Sequence, residues 1–400
     1  MEIIFLAAVF FVIILLLALK KPLWQAVLGG LAATVVLYRI PVVSAVKRTA
    51  NVFVSRSSLQ VLVSLYLITY LQRMLEARNQ IGLAAEDLNC LFYNRRITAM
   101  GSALFIGLLP SAAAMLLCAG IIEKATEGYL NKEQQAFVTT WIRHIPESSL
   151  PTYSSIILLC ALSGVPIGKF LTAMAIPFAV LLFIPYFVYI RKIPKAPDAL
   201  PSENRAKDAI NLFRHLWSLV AILALILVGK LGVVPAVAIV IVRCIFVYRF
   251  SFADVKRMIF TAFEKKLILN TFLVLVLKEF IACTGVLEKL PRIMSGLPIP
   301  TWRAFAMMAF IACVISGASG AVALTIPLAV AAIPAGGVPM AALMAGMIHA
   351  GSQVSPTHVC LVVCSEYYNV PLGKLIKRTI PISLVFAAFM IVYYNLLLMI

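Results

Sequence analysis

Ile3 to Leu19 runs without one polar or charged side chain and ends at Lys20 and Lys21. Predominantly apolar runs return at Ala173 to Ile190, Leu216 to Val228, Leu267 to Leu277 and Ile382 to Ile400. A helix needs roughly 17–25 such residues to cross the hydrocarbon of a bilayer. Apolar runs alternating with short basic stretches confine the chain to one class. Lipid offers no hydrogen bonds, so spanning backbone must satisfy itself internally, as helices do. Composition agrees: 62% of residues are hydrophobic and 12% charged, against about a quarter charged in a soluble domain. The expectation is an all-α polytopic protein of the cytoplasmic (inner) membrane.

The net charge of +18 would suggest nucleic acid on a soluble protein. Here Lys and Arg cluster between apolar runs, where they set topology, so no nucleic-acid partner is expected. Placing Lys20, Lys21, Arg95, Arg96, residues 191–209, Arg249, Lys256, Arg257, Lys265 and Lys266 in the cytoplasm puts the N-terminus outside and the central linker inside. Arg39, Lys47, Arg48 and Arg56 oppose that orientation. The first run has no basic leader and no small-x-small cleavage site, so it reads as a retained helix rather than a signal peptide. Nor is an enzyme expected, since neither a nucleophile–base pair nor a His-Glu-x-x-His pattern is present. The eight cysteines lack metal-type spacing, and Cys360 and Cys364, four apart, read as small apolar packers.

The order of segments occurs twice. Spans near 3–19, 22–39 and 57–76 precede a polar stretch, 77–97. Two interrupted runs, 98–122 and 131–163, and a clean span, 166–190, complete the first half. Residues 191–209, rich in proline and alternating charge, form a linker that no useful helix crosses. Spans near 210–228, 231–249 and 265–284, interrupted runs 301–335 and 338–366, and a last span 372–400 repeat the pattern. An ungapped offset of 205 superposes His144 on His349, Pro151 on Pro356, Thr152 on Thr357, Pro166 on Pro371, Gly168 on Gly373 and Ser111 on Ser316. Each half then holds five crossings and one segment that dips in and returns, about ten transmembrane helices plus two re-entrant hairpins. An odd number inverts the second half, as in many secondary transporters. The expected units are 1–96 and 210–300, three spans each, and 97–190 and 301–400, each with a hairpin, a broken helix and a span.

Four interruptions fall at mid-membrane depth. A helix from Lys132 reaches Arg143 after roughly 18 Å, and Pro146 and Pro151 then break the hydrogen-bond ladder. Freed helix ends carry partial charges, positive at N-termini and negative at C-termini, that suit ions. The expected substrate or ion site draws on Pro110 and Ser111 in the first hairpin and on His144, Glu147, Ser148, Ser149, Pro151 and Thr152 in the first broken helix. The second half supplies Ser316, Gly317, Ser319 and Gly320, then Ser352, Gln353, Ser355, Pro356, Thr357 and His358. Each hydroxyl also has a plain alternative, a bond to its own helix backbone. Arg143, His144, Glu147, His349, His358 and Glu366 are ionisable groups in or near the membrane, where charge is costly and commonly functional. Arg143 and Glu147 read either as a structural pair or as working charges. His144 and His349 read either as backbone partners or as proton carriers and substrate donors.

Two repeats, each with a hairpin followed by a helix broken at Pro-Thr (Pro151-Thr152 and Pro356-Thr357), resemble the ion transporter superfamily. That superfamily includes divalent-anion/sodium symporters, citrate and gluconate permeases and arsenite pumps. Within it the chain looks most like an uncharacterised bacterial branch, a domain of unknown function. The resemblance implies an elevator mechanism, a mobile transport domain and a homodimeric scaffold. Dicarboxylate members carry Ser-Asn-Thr at both hairpin tips. Here the tips read Pro110-Ser111-Ala112 and Ser316-Gly317-Ala318, which leaves either Na+ or H+ as the coupling ion. With Arg143 and three histidines against two acids near the breaks, the expected cargo is a small organic anion, a carboxylate. A cation/proton antiporter using Glu147 is the alternative. No cofactor is expected, nor any metal beyond Na+ at the tips and breaks.

Overall fold

The computed structural model describes residues 2–108, 112–195, 204–294, 296 and 298–399. Every regular element in them is helical. The first half contains α1 (Glu2–Ala18), α2 (Leu23–Leu37), α3 (Val42–Val54), α4 (Arg56–Ala77), α5 (Gln80–Phe92), α6 (Arg95–Ile106), α7 (Ala112–Thr126), α8 (Lys132–His144), α9 (Ser154–Ser163) and α10 (Ile167–Val188). The second contains α11 (Arg205–Leu227), α12 (Val233–Val247), α13 (Phe252–Thr261), α14 (Lys265–Cys283), α15 (Val286–Met294), α16 (Thr301–Ala332), α17 (Gly337–Ser352), α18 (Val359–Tyr367) and α19 (Leu372–Leu397).

The two lists match element for element once α16 is set against α6 and α7 together. Gly317, at φ 74° and ψ 173°, interrupts α16 where 107–111 separate α6 from α7. The backbone repeats in detail as well. Helices α1 and α11 are both followed by a lysine in the left-handed region (Lys20, φ 58°; Lys230, φ 51°). An arginine follows α2 and α12 in the same conformation (Arg39, φ 52°; Arg249, φ 50°). Gly164 (φ 71°) and Asn369 (φ 54°) end α9 and α18. Left-handed residues close helices by satisfying the last carbonyls, and non-glycine residues adopt the conformation uncommonly.

Among the described residues four helices, Ile167–Val188, Arg205–Leu227, Thr301–Ala332 and Leu372–Leu397, are long and apolar enough to cross a membrane alone. The number rises to six if the bent pairs Val42–Val54 with Arg56–Ala77 (57°) and Lys265–Cys283 with Val286–Arg292 (74°) each count once. Helices α1, α2, α9 and α12 are apolar but shorter. Large hydrophobic side chains such as Phe11, Val36, Phe183, Phe246 and Val385 lie on the outside. So much exposed apolar surface suits lipid rather than water.

Packing falls into two groups. Helices α1 to α4 and α11 to α14 contact one another, with the halves crossing reciprocally: α2 lies on α14 while α12 lies on α4. Helices α6 to α10 and α16 to α19 form the other group, again crossed, with α9 against α16 and α17 and α18 against α7 and α8. Apart from links through α5 and α15 and the step from α10 to α11, the groups meet chiefly where α4 touches α9 and α1 touches α16.

Two stretches between the expected spans also hold helix. In the 191–209 linker α11 begins at Arg205 with Asn204 as its cap, and residues 196–203 lie outside the described residues. The 77–97 stretch contains α5, which packs against α6 and α11. Glu366 is exposed on the last turn of α18. Gly351, still helical near the end of α17, permits close approach, since a Cβ there would stand 2.6 Å from the Phe310 carbonyl oxygen. Gly107 serves the first half the same way, facing the Arg143 carbonyl.

Because backbone cannot yield as a flexible side chain can, Gly107→Ala and Gly351→Ala should each destabilise the protein by about 1–3 kcal/mol, the range for overpacked sites. Gly373→Ala, with nothing within 4 Å, should leave the melting temperature unchanged or raise it. Thermal unfolding in detergent by intrinsic fluorescence checks the contrast.

Candidate functional site

The first broken helix begins with a reciprocal cap between Asn131 and Gln134 and runs as α8 through Arg143 and His144, both buried. Pro146 then forces a tight turn of 3-10 geometry over Ile145–Ser148. The chain stays irregular to Tyr153 before α9 starts at Ser154. In the second half α17 ends at Ser352, and 353–358 are irregular up to α18. The orphan amides that begin α9 and α18 therefore lie at the two breaks.

The breaks meet. The rings of His144 and His358 lie 4.5 Å apart between centroids, at 55°. One ring nitrogen of His144, one of His358 and the Cys360 sulfur all fall within 4.8 Å of one another. His144 is fully buried and its Nδ1 stands 2.6 Å from the Thr140 carbonyl. A carbonyl only accepts, so Nδ1 carries the proton and the lone pair is on Nε2, which is buried without a partner. His358 repeats the arrangement, its Nδ1 lying 3.1 Å from the Ser352 carbonyl. Glu147, half-buried, and Arg143 are both within electrostatic reach of His358 or Cys360.

Other expected site residues divide. Pro110 and Ser111 lie outside the described residues. Ser355 Oγ donates to the Val314 carbonyl at 2.8 Å and pairs with Thr357 Oγ1 at 2.9 Å, tying the second break to α16. Ser352 Oγ donates to the His349 carbonyl and Ser148 Oγ to the Ile145 carbonyl. Ser149 and Pro151 are buried nearby, while Pro356 and Thr357 are exposed. Thr152 Oγ1 is buried without a partner, and its carbonyl accepts from Gln72 Nε2 of α4 at 3.3 Å. Ser316 bonds back to the Ala312 carbonyl at 2.7 Å. Its side chain lines an apolar cavity of about 340 Å3 against α1, away from the histidines. Ser319 is half-buried and Gly320 buried beside it. His349 is within electrostatic reach of His144 and His358 but is not among the three groups that meet. It lies 3.4 Å from Gln353 Nε2 and edge-on to Phe386.

Two contributors escaped the sequence reading. Cys360 places its sulfur within 4.8 Å of a nitrogen of His144 and of His358, whereas Cys364 sits buried against the Ala136 carbonyl. The signal was the spacing His358-x-Cys360 at a helix start. Tyr368 clamps the halves together: its hydroxyl donates to the Ala119 carbonyl at 2.8 Å and meets Thr139 Oγ1 at 2.9 Å. Another cross-link joins Arg378 of α19 to Glu133 of α8 at 2.9 Å and to the Tyr189 hydroxyl.

Tyr368→Phe removes the buried hydroxyl and leaves the Ala119 carbonyl without this donor. It should cost about 1–3 kcal/mol, read as a lower melting temperature with the oligomeric profile unchanged.

No curated protein matches this chain. The model of one family matches residues 3–397, nearly the whole length, and its members are described as proteins of unknown function. A helical chain with four to six helices fit to span a membrane, built twice over around two crossing breaks, thus belongs to the family described as Protein of unknown function (DUF401).

Proposed function

We propose that this chain is a secondary active transporter that carries a small organic anion, a carboxylate, across the cytoplasmic membrane, with Na+ or H+ as the coupling ion. The observation that carries the reading is the meeting of the two breaks with buried polar atoms left over. Among the described residues, His144 Nε2, Thr152 Oγ1, His349 Nδ1 and Gln353 Oε1 are buried without a hydrogen-bond partner. Buried polar atoms are nearly always satisfied, so unpartnered ones at or beside both helix breaks support a ligand there. Arg143 and the N-termini of α9 and α18 favour an anion there.

The two packing groups support a sliding mechanism in which α6 to α10 and α16 to α19 move against a scaffold of α1 to α4 and α11 to α14. The boundary is loosely filled. A cavity of about 310 Å3 lies between α4, α9, α12 and α14, and Lys278 and Glu279 line it with Ser57, Ser58 and Gln60. A small cavity opens beside Thr152, between Gln72 of α4 and Ile222 of α11. In this proposal the halves are inverted, about ten segments cross, two hairpins re-enter and the scaffold pairs as a homodimer. Membership of the ion transporter superfamily is part of it. Glu147, half-buried beside the crossing, supports a second reading, a cation/proton antiporter.

Proteoliposome uptake of labelled carboxylates, with imposed sodium or proton gradients, tests both. The expected outcome is gradient-driven uptake of one carboxylate class, reduced at least about tenfold by Thr152→Ala, the loss of one good contact. Carboxylate uptake at the wild-type rate in Thr152→Ala and Thr357→Ala would remove the site assignment. Cation-coupled proton flux without carboxylate uptake, abolished by Glu147→Gln, would select the antiporter.

A further inference from the structure

His144, His358 and Cys360 bring two nitrogens and a sulfur to one point from two different repeats. We propose that they bind a borderline transition-metal cation, with Zn2+ as the type, at the crossing of the two breaks.

Three features carry the assignment. The first is donor chemistry. Imidazole nitrogen and thiolate sulfur suit Zn2+ and its neighbours, whereas Na+, Mg2+ and Ca2+ take oxygen. The second is orientation. In established metal sites a ligating histidine donates its other N–H to a carbonyl or carboxylate, which fixes the tautomer and directs the lone pair. Both histidines here do so, His144 to Thr140 at 2.6 Å and His358 to Ser352 at 3.1 Å. The third is the fully buried His144 Nε2, which has no partner among the described residues. Metal–ligand bonds of about 2.0–2.3 Å place donors of one ion roughly 3–4 Å apart. The present spacing, within 4.8 Å, requires only a small inward adjustment of side chains.

Binding replaces the Cys360 S–H bond with an S–Zn bond, and the proton leaves to solvent. Three protein ligands leave a fourth position for water or an added anion. His358 and Cys360 are partly exposed and Pro356 and Thr357 exposed, which gives the ion a way in. Occupancy would pin the end of α8 to the start of α18, and so one repeat to the other. The site does not depend on the carboxylate reading.

Co2+ titration of the full-length protein in nanodiscs, without carboxylate, reports the ligands directly. The expected result is a thiolate-to-metal charge-transfer band that saturates at one Co2+ per chain and is displaced by Zn2+. Cys360→Ser should remove the band, and His144→Gln should weaken binding by about 10- to 100-fold or more. Cys364→Ser should keep both band and affinity. A wild-type protein without the band, or a band that survives Cys360→Ser, overturns the proposal. Should the variants not fold, the wild type alone decides. Zn2+ should slow N-ethylmaleimide labelling of Cys360, measured by peptide mass spectrometry, while exposed Cys90 reacts unchanged. Equal labelling of Cys360 with and without Zn2+ also overturns it.

Discussion

A peptide group that leaves the helix inside an apolar slab must find a partner in the protein, because an unsatisfied one costs several kcal/mol. Residues Ile145 to Tyr153 and Gln353 to His358 leave the helix in this way, and much of the structure answers to them. Each break is held against its neighbouring run at a point where glycine permits backbone contact, Gly107 on Arg143 and Gly351 on Phe310. Ser148, Ser352 and Ser355 supply hydroxyl donors to nearby carbonyls. At or beside these stretches four buried side-chain atoms, His144 Nε2, Thr152 Oγ1, His349 Nδ1 and Gln353 Oε1, have no hydrogen-bond partner.

The repeats interlock rather than stand side by side. Tyr368 of the second reaches the Ala119 carbonyl of the first, and Arg378 reaches Glu133. Such interlocking makes α6 to α10 and α16 to α19 one body, while the boundary with α4 and α12 keeps a polar-lined cavity. A tight body against a loosely filled wall is the observation on which the proposed sliding rests.

Duplication also produced two unlike crossings. At the shared offset His144 answers to His349, His358 to Tyr153 and Cys360 to Ser155. One crossing thus assembles two imidazoles and a thiol. At the other, Tyr153 spends its hydroxyl on the Gly107 carbonyl and His349 faces Gln353 and Phe386. The backbone is nearly symmetric, and the chemistry is not.

The sequence by itself determined the class and the order. Apolar runs, prolines and glycines act locally on backbone geometry and hydration, so helices, breaks at Pro146 and Gly317 and the doubled element order could be read from spacing. The span count could not, because α1, α2, α9 and α12 fall short of bilayer length and two pairs bend. Nor could spacing show which half-buried polar groups would meet. His144 and His358 are 214 positions apart and belong to non-equivalent places in the repeats, and symmetry paired His144 with His349 instead. Only the crossing of α8 by α18 brought His144, His358 and Cys360 together. That contact is set by packing between halves, a long-range property that no local pattern encodes.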